Sequence, residues 1–203
     1  MVGKLRHVGQ MLTPKQVFDH PVLADMASCV VGSQLQKADQ GLLTGSVKLL
    51  PMQSRFIEHH HHQICNQYIT LAMPSPVNEN ALTRAISGLI KHHDALRLCF
   101  SDPVSAVYSQ TAPVDLIRLN DERGLGVVQD AINVETGRLL SAGVNQETDQ
   151  VVIAIHHLVV DALSWPVVIQ DLLALYHSEC TGTRTELPAK THHQTNWYQA
   201  LKT

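Results

Sequence analysis

The chain has 203 residues, enough for one substantial hydrophobic core, and a formal net charge of −3. Without a basic patch or tail it is not expected to bind nucleic acid. It has no apolar run of 18 or more residues and no apolar stretch behind its basic N-terminal residues, so neither a membrane span nor a secretory signal is expected, and a cytoplasmic location is. In chain order, residues 13–31 predict a short helical unit. Thr13 stands as N-cap, Pro14 takes the first helical position, His20-Pro21 breaks the helix, and a second helix follows from about Val22. Residues 32–46 are polar, carry Gly32, Gly41 and Gly45, and read as a linker. Met52 to Glu58 predicts a helix, Ile64 to Ala72 a strand and Pro74-Ser75-Pro76 a turn. Asn78 or Asn80 is expected to cap a helix that turns Leu82, Ala85, Ile86, Leu89 and Ile90 inward and ends near His93.

Ala95 to Phe100 and Ala106 to Gln110 read as strands joined by a turn containing Pro103. Gly124 to Val134 predicts a helix. Leu139 to Asn145 and Gln150 to Val160 read as a hairpin with its turn over 147–149. A helix is expected from about Trp165 to Tyr176, capped by Ser164 with Pro166 at its first position, and a last helix over Trp197 to Thr203. This mixture argues an α/β sandwich. Cys29, Cys65, Cys99 and Cys180 are scattered without metal-type pair spacing. The run His59-His60-His61-His62 cannot present four side chains to one ion from a regular strand or helix, so a loop position or incidental surface histidines are expected.

The segment with most chemical content is the apolar run 151–155 followed by His156-His157 and, four residues on, Asp161. Apolar β-branched runs read as buried strands. Histidine, with an ordinary pKa of about 6.5, takes and returns protons near neutrality. Successive side chains of a strand point to opposite faces, so one histidine should face the packed side and the other a cleft. His157 is the candidate general base and His156 its support. Asp161, Arg97, Ser164 and Trp165 are expected to be structural at the site. Arg97 would partner a buried carboxylate, for which Asp161 is a candidate, and Trp165 would pack in the core.

His156-His157-x-x-x-Asp161 with Ser164-Trp165 resembles the His-His-x-x-x-Asp-Gly motif of condensation-type domains of nonribosomal peptide synthetases, and more narrowly that of their epimerization domains. Three further segments are similar in order and spacing. Pro51-x-Gln53-x-x-Phe56-x-Glu58 resembles the opening motif of epimerization domains. Asn66-Gln67 after His61-His62 resembles their His-His-x-Asn-Gln segment with a two-residue insertion. His92-His93-Asp94-x-Leu96-Arg97-x-x-Phe100 resembles the second core motif. These cover about residues 41–203. The segment from Leu12 to Ala27 is similar to the last helical part of a peptidyl carrier domain, whose phosphopantetheine-bearing serine motif is not in this chain.

The resemblance implies three parts: a carrier remnant over 1–31, a linker over 32–46, and over 47–203 the N-terminal subdomain of the two-subdomain, chloramphenicol acetyltransferase-like fold. It implies an isomerase chemistry. His157 would exchange the α-proton of an aminoacyl or peptidyl thioester, converting L to D. A glutamate from the missing C-terminal subdomain would serve the other face. No cofactor or metal would bind directly, because a carrier domain presents the substrate on its phosphopantetheine arm. Residues 1–203 alone are therefore expected not to racemise. Condensation, which forms an amide between carrier-bound substrates, and a non-catalytic remnant stand as alternatives. The family's motif has glycine where this chain has Ala162. A positive φ there would cost alanine of order 1 kcal/mol or more, and a negative φ nothing.

Overall fold

The structure, a computed structural model, describes residues 10–32, 39–60, 65–110, 114–120, 124–191 and 194–200. They fall into two compact units divided between Ala38 and Asp39. In the first unit, β1 (Gln10–Met11) pairs antiparallel with β2 (Val31–Gly32), and α1 (Pro14–Asp19) and α2 (Leu23–Ser28) lie between them in sequence. Thr13 closes α1 with a reciprocal cap. Its hydroxyl accepts from Gln16 N–H at 3.2 Å, and Gln16 Oε1 accepts from Thr13 N–H at 2.8 Å.

The second unit contains, in order, β3 (Ser46–Lys48), α3 (Pro51–His60), β4 (Asn66–Ala72), α4 (Glu79–His92), β5 (Leu98–Cys99), β6 (Ser105–Tyr108) and β7 (Leu116–Arg118). There follow α5 (Gly124–Asp130), β8 (Leu140–Asn145), β9 (Gln150–His156), α6 (Trp165–Thr181) and α7 (Gln194–Ala200). The main sheet runs β4-β9-β8-β7, antiparallel except for the parallel β7–β8 pair. A small antiparallel sheet runs β3-β6-β5. This is the mixed α/β architecture expected for one subdomain of the two-subdomain fold. Among the described residues no helix is long and apolar enough to cross a membrane.

Strand β9 is central and buried on both sides, which explains its unbroken apolar composition. Val151, Ile153 and Ile155 join the core formed by α4 and α6, with Leu82, Ile86, Leu89 and Leu172. Val152 and Ala154 face the other way, into a small cluster with Leu119 and Val128 of the α5 side. Each aliphatic side chain buried in this way contributes about 1.5–3 kcal/mol. Close approach of α5 explains Gly143 in β8: a Cβ there would lie 2.7 Å from Val128 Cγ2 and 2.8 Å from Leu119 Cδ2.

The structure departs from the sequence reading in several places. Asp94–Arg97 is a 3-10 turn, leaving only Leu98–Cys99 as strand. The two end residues of that turn are an i,i+3 ion pair, and i,i+3 side chains lie one above the other in a 3-10 turn. The α5 helix stops at Asp130, and Asn133 bridges back to Arg138. Asn78 is the cap of α4, its side chain accepting from Ala81 N–H at 3.0 Å. Helix α6 continues past Tyr176 to Thr181, where Gly182 turns left-handed at φ 71°. The late part of the expected linker is held in place: Leu43 N–H donates to Asp94 at 3.1 Å, and Ser46 begins β3. His59 and His60 end α3 and are not in a loop, while His61 and His62 lie outside the described residues.

Candidate active site

His156 is the last residue of β9 and shares a face with Val152 and Ala154. It is 4% exposed. Its Nδ1 accepts from Leu158 N–H at 3.2 Å, and its ring meets Phe56 of α3 edge-on, with centroids 5.3 Å apart. Burial, aided by neighbouring His157, pushes its pKa down to about 4. His156 is therefore a neutral core histidine at working pH.

His157 stands just past the strand and is exposed. Its backbone N–H extends the ladder by donating to Cys65 C=O at 2.8 Å. Its Nδ1 lies 2.6 Å from Val160 C=O. A carbonyl can only accept, so Nδ1 carries the proton and Nε2 keeps its lone pair. Nε2 lies 3.4 Å from Gln67 Nε2, and Gln67 Oε1 accepts from Trp165 Nε1–H at 2.8 Å. One face of the sheet unites these groups. Gln67 pairs with Ile155, so its side chain leaves the sheet on the α4–α6 face, where α6 begins with Trp165.

The chain then turns over residues 157–159 and reaches Asp161. Asp161 Oδ1 accepts from Leu163 N–H at 3.1 Å, Ser164 N–H at 2.8 Å and Ser164 Oγ–H at 2.7 Å. The Ser164 hydroxyl, followed by its N–H, holds the Asp161 carboxyl below the usual carboxylate range. Ser164 thus does not cap α6 through its own side chain. Its backbone is helical, and its hydroxyl is spent on Asp161, which ties off the turn. Ala162 does not have positive φ: among the described residues Asp149 alone does so outside glycine. Alanine therefore fits this turn without left-handed strain.

Gln53 of the Pro51-x-Gln53 segment buttresses the turn after the histidines. It is 6% exposed and donates to Leu158 C=O at 3.2 Å, while its Oε1 accepts from Leu50 N–H at 2.9 Å and from Gln194 at 2.8 Å. Arg97 belongs to a different centre from the one expected. Its guanidinium pairs with Asp94, not Asp161, and donates to Ser109 C=O at 2.6 Å and Leu43 C=O at 2.9 Å. Lys190 adds a bond to Asp94 at 2.8 Å. Burial raises the Asp94 pKa, but the bonds from Lys190, Arg97 and Leu43 N–H outweigh it and hold the carboxyl below its usual range. Asp161 sits in an exposed turn, whereas Arg97 is 2% exposed.

Among the described residues, the group of side chains whose ligand atoms approach closely enough for one metal ion is His92, His93 and Asp171, within 4.8 Å of one another. His93 and Asp171 already bond each other at 2.8 Å and clasp α4 to α6. Burial, followed by neighbouring His93, pushes the His92 pKa down. The four cysteines are free, and burial pushes the Cys99 thiol up. A shallow cavity of about 430 Å³ opens between Ile57, Phe100 and Val134, and His157 is not among the residues that line it. The contacts that sequence reasoning missed are those of Gln53, Phe56, Gln67 and the Val160 carbonyl. The spacing of the opening motif marks Gln53 and Phe56, and the Asn66-Gln67 segment marks Gln67, but neither says what these residues touch, and nothing in the sequence marks the Val160 carbonyl.

Residues 44–203 match the family model described as Condensation domain. Surfactin synthase subunit 1 of Bacillus subtilis (strain 168) is 30% identical over 100% of this chain and 6% of its own length. A linear gramicidin synthase from Brevibacillus parabrevis is 32% identical over 99% of this chain and 4% of its own length. Among solved structures, the epimerization domain from the third module of tyrocidine synthetase B superposes with a TM-score of 0.71 at 24% identity, covering 82% of this chain and 41% of that one. The starter condensation domain of rhizomide synthetase superposes with a TM-score of 0.59 at 14% identity, covering 78% and 45%. The chain thus spans less than half of these domains and a small fraction of the synthetases.

Proposed function

The chain belongs to the condensation-domain family, and from that premise we propose that its second unit is the histidine-bearing subdomain of an epimerization-type domain of a nonribosomal peptide synthetase. The observation that carries the reading is the division of labour between the two histidines. His156 is buried and neutral, whereas His157 is exposed at the end of a rigid strand with its proton fixed on Nδ1 and a lone pair on Nε2. This is how a general base is mounted.

In this reading His157 Nε2 removes the α-proton of an aminoacyl or peptidyl thioester. The C–H electron pair moves into an enolate conjugated with the thioester carbonyl. An acid on the second subdomain, a glutamate by the family resemblance, returns a proton to the opposite face and inverts the centre. A general base contributes about 10²–10⁴-fold. Positioning of the substrate and stabilisation of the enolate supply the rest. The carrier domain and its phosphopantetheine arm are the proposed partner, and residues 1–31 the remnant of such a carrier. The relatives' similarity over 99–100% of this chain supports that organisation.

Condensation is the second reading, since the matching family model bears that description. One experiment separates the two. Residues 44–203 replace the equivalent residues of the tyrocidine synthetase B epimerization domain, and the hybrid receives a carrier-bound aminoacyl thioester. The proposal predicts D-configured product from the hybrid and none from residues 1–203 alone. Dipeptide formation in its place, or a folded hybrid that leaves the configuration unchanged, contradicts it.

A further inference from the structure

Two groups beside the candidate base are ambiguous by nature. An imidazole has two tautomers, and a carboxamide has an oxygen end and a nitrogen end. Here each is fixed by a partner that can play only one part. The Val160 carbonyl only accepts, which puts the His157 proton on Nδ1. The Trp165 indole N–H only donates, which turns the Gln67 oxygen toward Trp165. The Gln67 amide nitrogen then has to face His157 Nε2, at 3.4 Å. The relay Trp165–Gln67–His157–Val160 thus has one consistent direction of donation, from the indole and the amide through the ring to the carbonyl.

We infer that Gln67 is a positioning residue for His157, oriented by Trp165 so that its amide N–H keeps Nε2 an acceptor. A donor aimed at Nε2 disfavours the tautomer of the neutral ring with its proton there, and so keeps the Nε2 lone pair on the side of the site. At 3.4 Å the bond is long and therefore weak. The C–H to be broken would take the place now held by the amide N–H. This deepens the epimerase reading and rests on His157 as the base.

Trp165 therefore does more than fill the core. It lies at the first turn of α6, 9% exposed, and spends its single polar atom on Gln67. Gln67 lies near the start of β4 in register with Ile155, two residues before His157. The strand pairing fixes the distance from the base, and the helix start fixes the direction of the amide. Neither anchor depends on the second subdomain, so the arrangement is testable in this chain alone.

The test is ring-¹⁵N spectroscopy of residues 1–203 with labelled histidine at mildly alkaline pH, with His157 assigned by the signals lost in His157→Ala. The inference predicts a wild-type His157 with Nδ1 in the protonated range and Nε2 in the unprotonated range. Gln67→Glu presents only acceptors and should move the Nε2 signal into the protonated range, an effect a merely structural glutamine would not produce. Gln67→Leu should remove the partner of the indole and speed Trp165 N–H exchange about fivefold or more, the effect of one lost hydrogen bond. A wild-type His157 protonated on Nε2, a Gln67→Glu spectrum with Nε2 unchanged, or Trp165 exchange unchanged in Gln67→Leu overturns it. No reaction is measured, so this result stands or falls apart from the epimerase assay.

Discussion

His156→Asn tests the assignment of His156 as a buried neutral residue. Asparagine is smaller but keeps an acceptor near the position of Nδ1, where Leu158 N–H donates at 3.2 Å, and it does not titrate. Burial lowers the His156 pKa from 6.5 to about 4 in the folded chain. Above 6.5 both folded and unfolded forms are neutral, and the contribution to stability is complete. As pH falls through 6.5 the unfolded chain binds a proton that the folded chain refuses, so stability declines until the folded form also protonates near 4. At about 1.4 kcal/mol per pH unit the loss over this window is about 3 kcal/mol. Urea denaturation of both proteins at pH values spanning the window measures it. His156→Asn should be the less stable protein at neutral pH, because it loses the edge-on ring contact with Phe56, and the gap should close by about 3 kcal/mol toward pH 4. A gap that stays constant across the window would falsify the assignment.

Gly143→Ala should destabilise by about 1–3 kcal/mol, because its Cβ meets Val128 and Leu119 inside contact distance. Thermal melts check this, and Val128→Ala in the same chain should recover part of the loss. Arg97→Met leaves Asp94 buried with one cation fewer and should cost about 3–5 kcal/mol by chemical denaturation. A loss below about 1 kcal/mol would show that Lys190 alone neutralises Asp94. Ala162→Gly, which restores the family's motif residue, should lower stability by about 0.4–1 kcal/mol, because the position is not left-handed and glycine only adds freedom to the unfolded chain. A stability gain in the melting curve would mean that alanine is strained there.

The parts of the fold legible in the sequence are those whose stability comes from long periodic faces. Helix α4, with its asparagine cap, and the β8–β9 hairpin are of this kind, since each buries a repeated set of side chains. The short strands β3 and β7 are three residues each and carry no periodic signal of their own; their partners define them. Ala95 to Phe100 resembles a strand in sequence because its composition is apolar around one arginine, and only the ion pair between Asp94 and Arg97 reveals the turn. At the site, alternation along β9 is enough to separate the two histidines. The choice of carboxylate for Arg97 was not legible, because a sequence does not say which of its acids is buried. Nor was the contact between Gln67 and Trp165, which are brought together by strand register and the start of a helix.

The most direct measurement is wash-in of solvent deuterium at the α-carbon of a carrier-bound aminoacyl thioester. It would be carried out with the hybrid domain that contains residues 44–203, beside its His157→Ala and His156→Asn forms. The account predicts exchange in the parent hybrid, its loss by a factor of about 10²–10⁴ in His157→Ala, and its retention in folded His156→Asn. Exchange that survives His157→Ala would contradict the assignment of His157 as the base.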